Sequence, residues 1–223
     1  WSIIVALTKF NFNSFDLTTA ASKGLAFNSS ANGFETSSAG SMTLIKTLTA
    51  SSSANLSFVH GSSDVVLDST YPVYRFVFTN CHPENDEVNF SVNFRDGGSS
   101  YDATKTTTAF AADHYESGSG GTLFYWASKD LAQSTSAQPI ASAIGNDNDQ
   151  SCSGSLLLFN PSSTTFVKHF ISDANVIHAS NLSLRQVSAG YCNVTAAIDA
   201  VQFTMSSGDI DSGTIKLYGI KDS

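Results

Sequence analysis

Apolar and polar residues alternate with a period of two over much of the chain, the pattern of half-buried β-strands. Val88–Arg95 (VNFSVNFR) places Val88, Phe90, Val92 and Phe94 on one face and Asn89, Ser91, Asn93 and Arg95 on the other. Tyr71–Asn80 (YPVYRFVFTN) sets Tyr74, Phe76 and Phe78 against Val73, Arg75, Val77 and Thr79. The segment between them, Cys81–Glu87, carries Pro, Asn and Asp, so the two runs read as an adjacent antiparallel hairpin with a long loop. Ile198–Met205 and Thr214–Ile220 alternate in the same way across a polar turn containing Gly208. Thr43–Thr49, Ala54–His60, Thr104–Ala112, Thr122–Trp126, Cys152–Phe159 and Thr165–Ser172 are further strand candidates. Val65–Leu67 is a short apolar piece, Leu131–Ser142 fits a short helix or a loop, and Gly190–Asn193 a turn or short strand. No long segment has a period of 3.6. About ten strands at a spacing of roughly 8–15 residues predict an all-β, antiparallel sandwich of two packed sheets.

Composition supports this reading. The chain has 223 residues and is 41% hydrophobic, enough for a sizeable core, yet only 13% are charged. Ser and Thr fill about a quarter of it. A hydroxyl-rich surface suits strands better than helices, which favour long charged side chains. Net charge is −8, and the 11 Lys and Arg form no basic stripe. Nucleic-acid binding through phosphate neutralisation is therefore not expected. The longest apolar runs, such as Leu156–Phe159, are far shorter than the ~20 residues of a membrane-spanning helix. Ser2–Leu7 lacks the basic and long apolar regions of a signal peptide.

Candidate chemistry is sparse. Cys81, Cys152 and Cys192 are odd in number and widely spaced, which argues against a zinc site or a disulfide framework and favours buried thiols, with room for at most one internal pair. His60, His82, His114, His169 and His178 form no metal-binding spacing. The acids gather in turns: Glu84, Asp86 and Glu87; Asp147 and Asp149; Asp209 and Asp211. Asp147-Asn148-Asp149 offers oxygen ligands but lacks the Gly and Glu of a calcium loop. Neither a nucleophile elbow nor a catalytic motif is present, so no enzymatic activity and no cofactor are expected. Tyr101, Tyr115, Tyr125, Trp126 and Tyr191 lie near loops and are the candidates for a sugar-binding platform.

Residues 1–41 differ from the remainder. Trp1, Ile3, Ile4, Val5, Leu7, Phe10, Phe12 and Phe15 form an apolar cluster ahead of a Ser/Ala/Asn/Gly-rich stretch. This reads as an N-terminal arm or anchor, with the sandwich spanning 42–223; the alternative is a first strand of that sandwich.

The C-terminal stretch Val201–Ile220 (VQFTMSSGDIDSGTIKLYGI) resembles the ending of a family of tailed-bacteriophage virion structural proteins of tail-fibre, head-fibre and capsid-decoration type, many of them from marine phages. Leu67–Asn80, Gly154–His169 and Ala189–Asn193 are similar to further elements of that family, in the same order, so the resemblance runs from Met42 to the end. It implies a jelly-roll-like module in the virion, assembled in the host cytoplasm. Its partners would be other capsid or tail proteins, and the chain itself would be a homo-oligomer, a trimer by preference. The alternative is a receptor- or carbohydrate-binding adhesin at a fibre tip that contacts a host surface glycan through exposed aromatics such as Tyr115 and Trp126 beside Asp147. The resemblance transfers no catalytic or binding residues.

Overall fold

The computed structural model describes residues 23–27, 30, 34–38 and 41–221. They fall into two units, Trp1–Ser41 and Met42–Ser223. In the first, β1 (Lys23–Phe27) and β2 (Phe34–Ser38) form an antiparallel hairpin, closed by the stacked rings of Phe27 and Phe34 with centroids 5.0 Å apart. The anchor residues expected from sequence, Trp1, Ile3, Ile4, Val5, Leu7, Phe10, Phe12 and Phe15, lie outside the described residues.

The second unit contains no helix among its described residues. Its strands are β3 (Met42–Ser53), β4 (Leu56–Val59), β5 (Val73–Pro83), β6 (Val88–Arg95), β7 (Lys105–Tyr115) and β8 (Thr122–Tyr125). They continue with β9 (Gln138–Ile144), β10 (Cys152–Phe159), β11 (Lys168–His178), β12 (Leu182–Cys192), β13 (Ala200–Met205) and β14 (Ile210–Ile220). The large sheet runs β3-β14-β5-β10-β11-β12-β7-β8 and the small sheet β9-β6-β13-β4; all pairings are antiparallel. The sheets touch in hydrogen bonding at one pair, His178 with Ile144. Without the hairpins β7–β8 and β11–β12, two four-stranded sheets remain, β3-β14-β5-β10 and β4-β13-β6-β9. That is the strand order of a jelly roll. The second unit is thus an all-β sandwich, with twelve strands among its described residues rather than about ten.

The core lies between the sheets. Tyr74, Phe76 and Phe78 point inward from β5 and meet Phe58, Phe90 and Phe203 from the small sheet, all at 0–1% exposure. Phe58 and Phe76 pack edge-on at 5.3 Å, Phe78 and Phe90 at 5.3 Å, and Phe90 stacks on Phe203 at 5.6 Å. Phe94 reaches Phe170 at 5.0 Å. Each such ring stabilises the fold by roughly 1.5–3 kcal/mol through burial alone.

The structure corrects the expected hairpin of Tyr71–Asn80 with Val88–Arg95. β5 pairs with β14 and β10, whereas β6 pairs with β13 and β9, so the two strands face each other across the core. Each carries a fully aromatic or aliphatic inner face, and pairing edge to edge would leave both faces still to be covered. Asn80 and Glu87, both at positive φ (50° and 56°), help turn the chain from one sheet to the other. Mutual bonds between Glu84 and Asp209 fix the corner: each backbone N–H reaches the other residue, at 3.1 and 2.9 Å.

Candidate functional site

The outward faces of the two sheets differ. Along the small sheet, Asn89, Asn93 and Arg95 of β6, Gln202 and Thr204 of β13 and Ser57 of β4 alternate with the buried positions. Part of this polar face lies under the segment 126–137: Lys129 Nζ donates to Asn89 Oδ1 at 3.0 Å and Asn93 Nδ2 to the Thr135 carbonyl at 3.1 Å.

The large sheet turns an apolar face outward. Its ladder registers align Leu44, Tyr218, Arg75, Leu157, Ile171 and Ala189 in one row across six strands. The row on one side holds Met42, Ile220, Val73, Phe159 and Tyr191; the row on the other side is mixed, with Val77, Val187, Phe110 and Tyr125 among Thr47, Lys216, Ser155 and Asp173. Leu44 is 51% exposed, Phe110 and Ile171 44%, and Tyr125 57%. Between β7, β12 and β11 this face sinks into a dent of about 440 Å³ lined by Thr106, Thr108, His169, Ile171, Gly190 and Tyr191. A Cβ on Gly190 would come within 2.5 Å of the Thr106 carbonyl oxygen, so only glycine lets the strands close up there. Near the middle of the face, Arg75 Nη2 lies 3.5 Å from Ser155 Oγ, while its buried Nε meets no acceptor among the described residues.

Several of the polar candidates make internal bonds. Glu84 and Asp86 accept turn N–H groups, from Asp209 and from Glu87 and Asn146 respectively. Asp149 and Asn148 line a polar depression with Asn80, His82 and Asp211, but no group of three metal-binding side chains exists among the described residues. His60 Nδ1 accepts from Leu67 N–H, His178 Nδ1 accepts from Ser180 N–H, and His82 Nδ1–H donates to the Gln150 carbonyl at 2.6 Å. Tyr115 and Trp126 do not share a platform. Tyr115 stands at the β7 tip, opposite Leu182, and Trp126 bonds to Ala109, about 20 Å back along the strand at the usual rise. The Trp126 ring packs on Phe124 and under Lys129 Nζ, 5.3 Å from its centroid.

Sequence reading missed a buried polar seam. In the β11–β12–β7 ladder, Lys168, Cys192 and Lys105 stand in one register row, all with 0% exposure. Lys105 Nζ donates to Asn93 Oδ1 at 2.6 Å and the Ala103 carbonyl at 2.7 Å; Lys168 Nζ donates to the Val194 carbonyl at 3.0 Å. Burial lowers the Lys105 pKa to about 8 and raises the Cys192 thiol to about 12. Beside them Thr107 donates to Gln138 at 2.6 Å, and Gln138 holds the Lys129 carbonyl at 2.8 Å, tying the 126–137 segment down. These bonds pin loops onto the sandwich.

Comparison of the chain with protein-family models, curated proteins and solved structures gives no match. Fold and surface together define a jelly-roll β-sandwich with one polar outer face and one largely apolar outer face.

Proposed function

We propose that the protein is a non-enzymatic structural component of a bacteriophage virion, in a capsid-decoration, head-fibre or tail position, built to assemble with other protein. One observation carries this reading: the apolar outward face of the large sheet, set against polar residues on the other sheet. A wide apolar face on a hydroxyl-rich chain favours a protein partner over water. The turn acids and the two lysines of the buried seam serve as internal braces, which suits a structural role. The resemblance of Val201–Ile220 and the three preceding stretches to tailed-phage virion proteins supplies the setting.

The test is immunogold labelling of intact, purified particles with antibody raised against this chain. Regular labelling at one part of the particle is the expected result. Unlabelled particles, with the chain recovered only in the host lysate, would overturn the reading.

A further inference from the structure

We infer that the outward face of the large sheet is the surface through which copies of this chain associate with one another. The inference deepens the assembly reading above by naming the surface and its occupant. Its first support is size. Three rows of mostly apolar side chains across the seven strands from β3 to β7 cover about 700 Å² at ordinary strand spacing. About three fifths of the positions are apolar, the share found in protein interfaces, and the footprint approaches the ~800 Å² per partner of a stable one. In the middle row the apolar positions run from Leu44 and Tyr218 to Leu157, Ile171 and Ala189, interrupted at Arg75.

The second support is charge. The chain carries a net −8, which opposes the approach of two copies in general. Yet Glu84, Asp86, Glu87, Asp147, Asp149 and Asp209 all stand in turns outside the three rows. Within the rows the charged side chains are Arg75, Lys216 and Asp173, and Asp173 is neutralised by a two-pronged pair with Arg185 at 2.6 and 2.9 Å. Two copies can meet on this face without acid opposing acid.

A second copy therefore satisfies size and charge together.

Analytical ultracentrifugation of the full chain tests this. The wild type should sediment as a multiple of 23.6 kDa. Leu157→Asp and Ile171→Asp, each a charge at an outward position that leaves the core untouched, should weaken association about 100-fold and give the single-chain mass with unchanged circular dichroism. A wild type that stays at 23.6 kDa, or folded variants that keep the wild-type mass, would overturn the inference. Should either variant misfold, hydroxyl-radical footprinting of the wild type decides: Leu157, Ile171 and Tyr191 must be protected at high concentration and react on dilution, and equal reactivity refutes the interface. Association with no particle labelling would leave this inference standing and remove only the virion reading.

Discussion

The buried seam of Lys168, Cys192 and Lys105 shows how single residues shape the pH response. Lys105 has its pKa lowered to about 8 by burial, against 10.5 when exposed. Between those values the unfolded chain binds the proton that the folded chain has released, so stability rises with pH across that window. Below about pH 8 both states are protonated and the burial penalty is fully present. Urea unfolding of the wild type should therefore gain up to about 3 kcal/mol between pH 8 and 10.5 relative to Lys105→Met, which has nothing to titrate there. Cys192 acts in the opposite sense. Its thiol, raised to about 12, makes stability fall above pH 9, so the measurement is cleanest in a Cys192→Ser background. The other two thiols give a second prediction. Cys81 and Cys152 are directly opposite in the β5–β10 ladder, and burial pushes the Cys152 thiol well up. With both side chains out of solvent, oxidation and alkylation are slow. Iodoacetamide should leave the native chain unlabelled and add three groups after unfolding, read by intact mass. The sequence conveyed that the three thiols form no framework; it did not reveal that two of them face each other.

At the level of elements, legibility followed the contrast between inner and outer faces. β6 was read with its bounds intact because Val88, Phe90, Val92 and Phe94 alternate with polar residues. The hairpin β11–β12 was largely missed because its inward positions include Lys168, Ser172, Gln186 and Ser188, which hide the alternation. β9 was ambiguous for the opposite reason: Ile140, Ala141 and Ser142 are buried in succession, so no period of two survives. The apolar face also left a trace that went unread. Leu156–Phe159 is apolar at consecutive positions, and in an antiparallel strand that means both faces want cover. The same element scale yields a mutational prediction. Phe203 touches Phe58, Phe76 and Phe90, so its ring joins three strands of the core. Phe203→Ala should cost about 3–5 kcal/mol in urea unfolding. Gln202→Ala, one position away on the solvated face, loses only a bond to Ser57 and should cost under about 1 kcal/mol. Equal losses at the two positions would contradict the assignment of inner and outer faces.

For the whole molecule, the question is where the folding unit ends. Every ladder of the sandwich closes within Met42–Ile220, and the core residues, from Ala50 to Leu217, all belong to that stretch. Both edges of the large sheet, β3 and β8, come from this stretch, and none of the ladders draws a strand from before Met42 among the described residues. A chain beginning at Ser41 should therefore fold alone. It should show a strand-type circular dichroism spectrum and one cooperative thermal transition, with a midpoint within about 4 °C of the full chain. The comparison has to be made at equal molar concentration, because association through the apolar sheet face would make both midpoints depend on it. The result also separates two roles for the apolar cluster around Ile3, Ile4, Phe10 and Phe12. Burying one such side chain stabilises by roughly 1.5–3 kcal/mol, so a cluster that formed part of the sandwich could not be removed without a large drop in the midpoint. An unchanged midpoint leaves those side chains free to anchor the protein elsewhere, and particle binding lost by the shortened chain would then locate the anchor. A collapse of the transition would make residues 1–41 part of the core and end the arm reading.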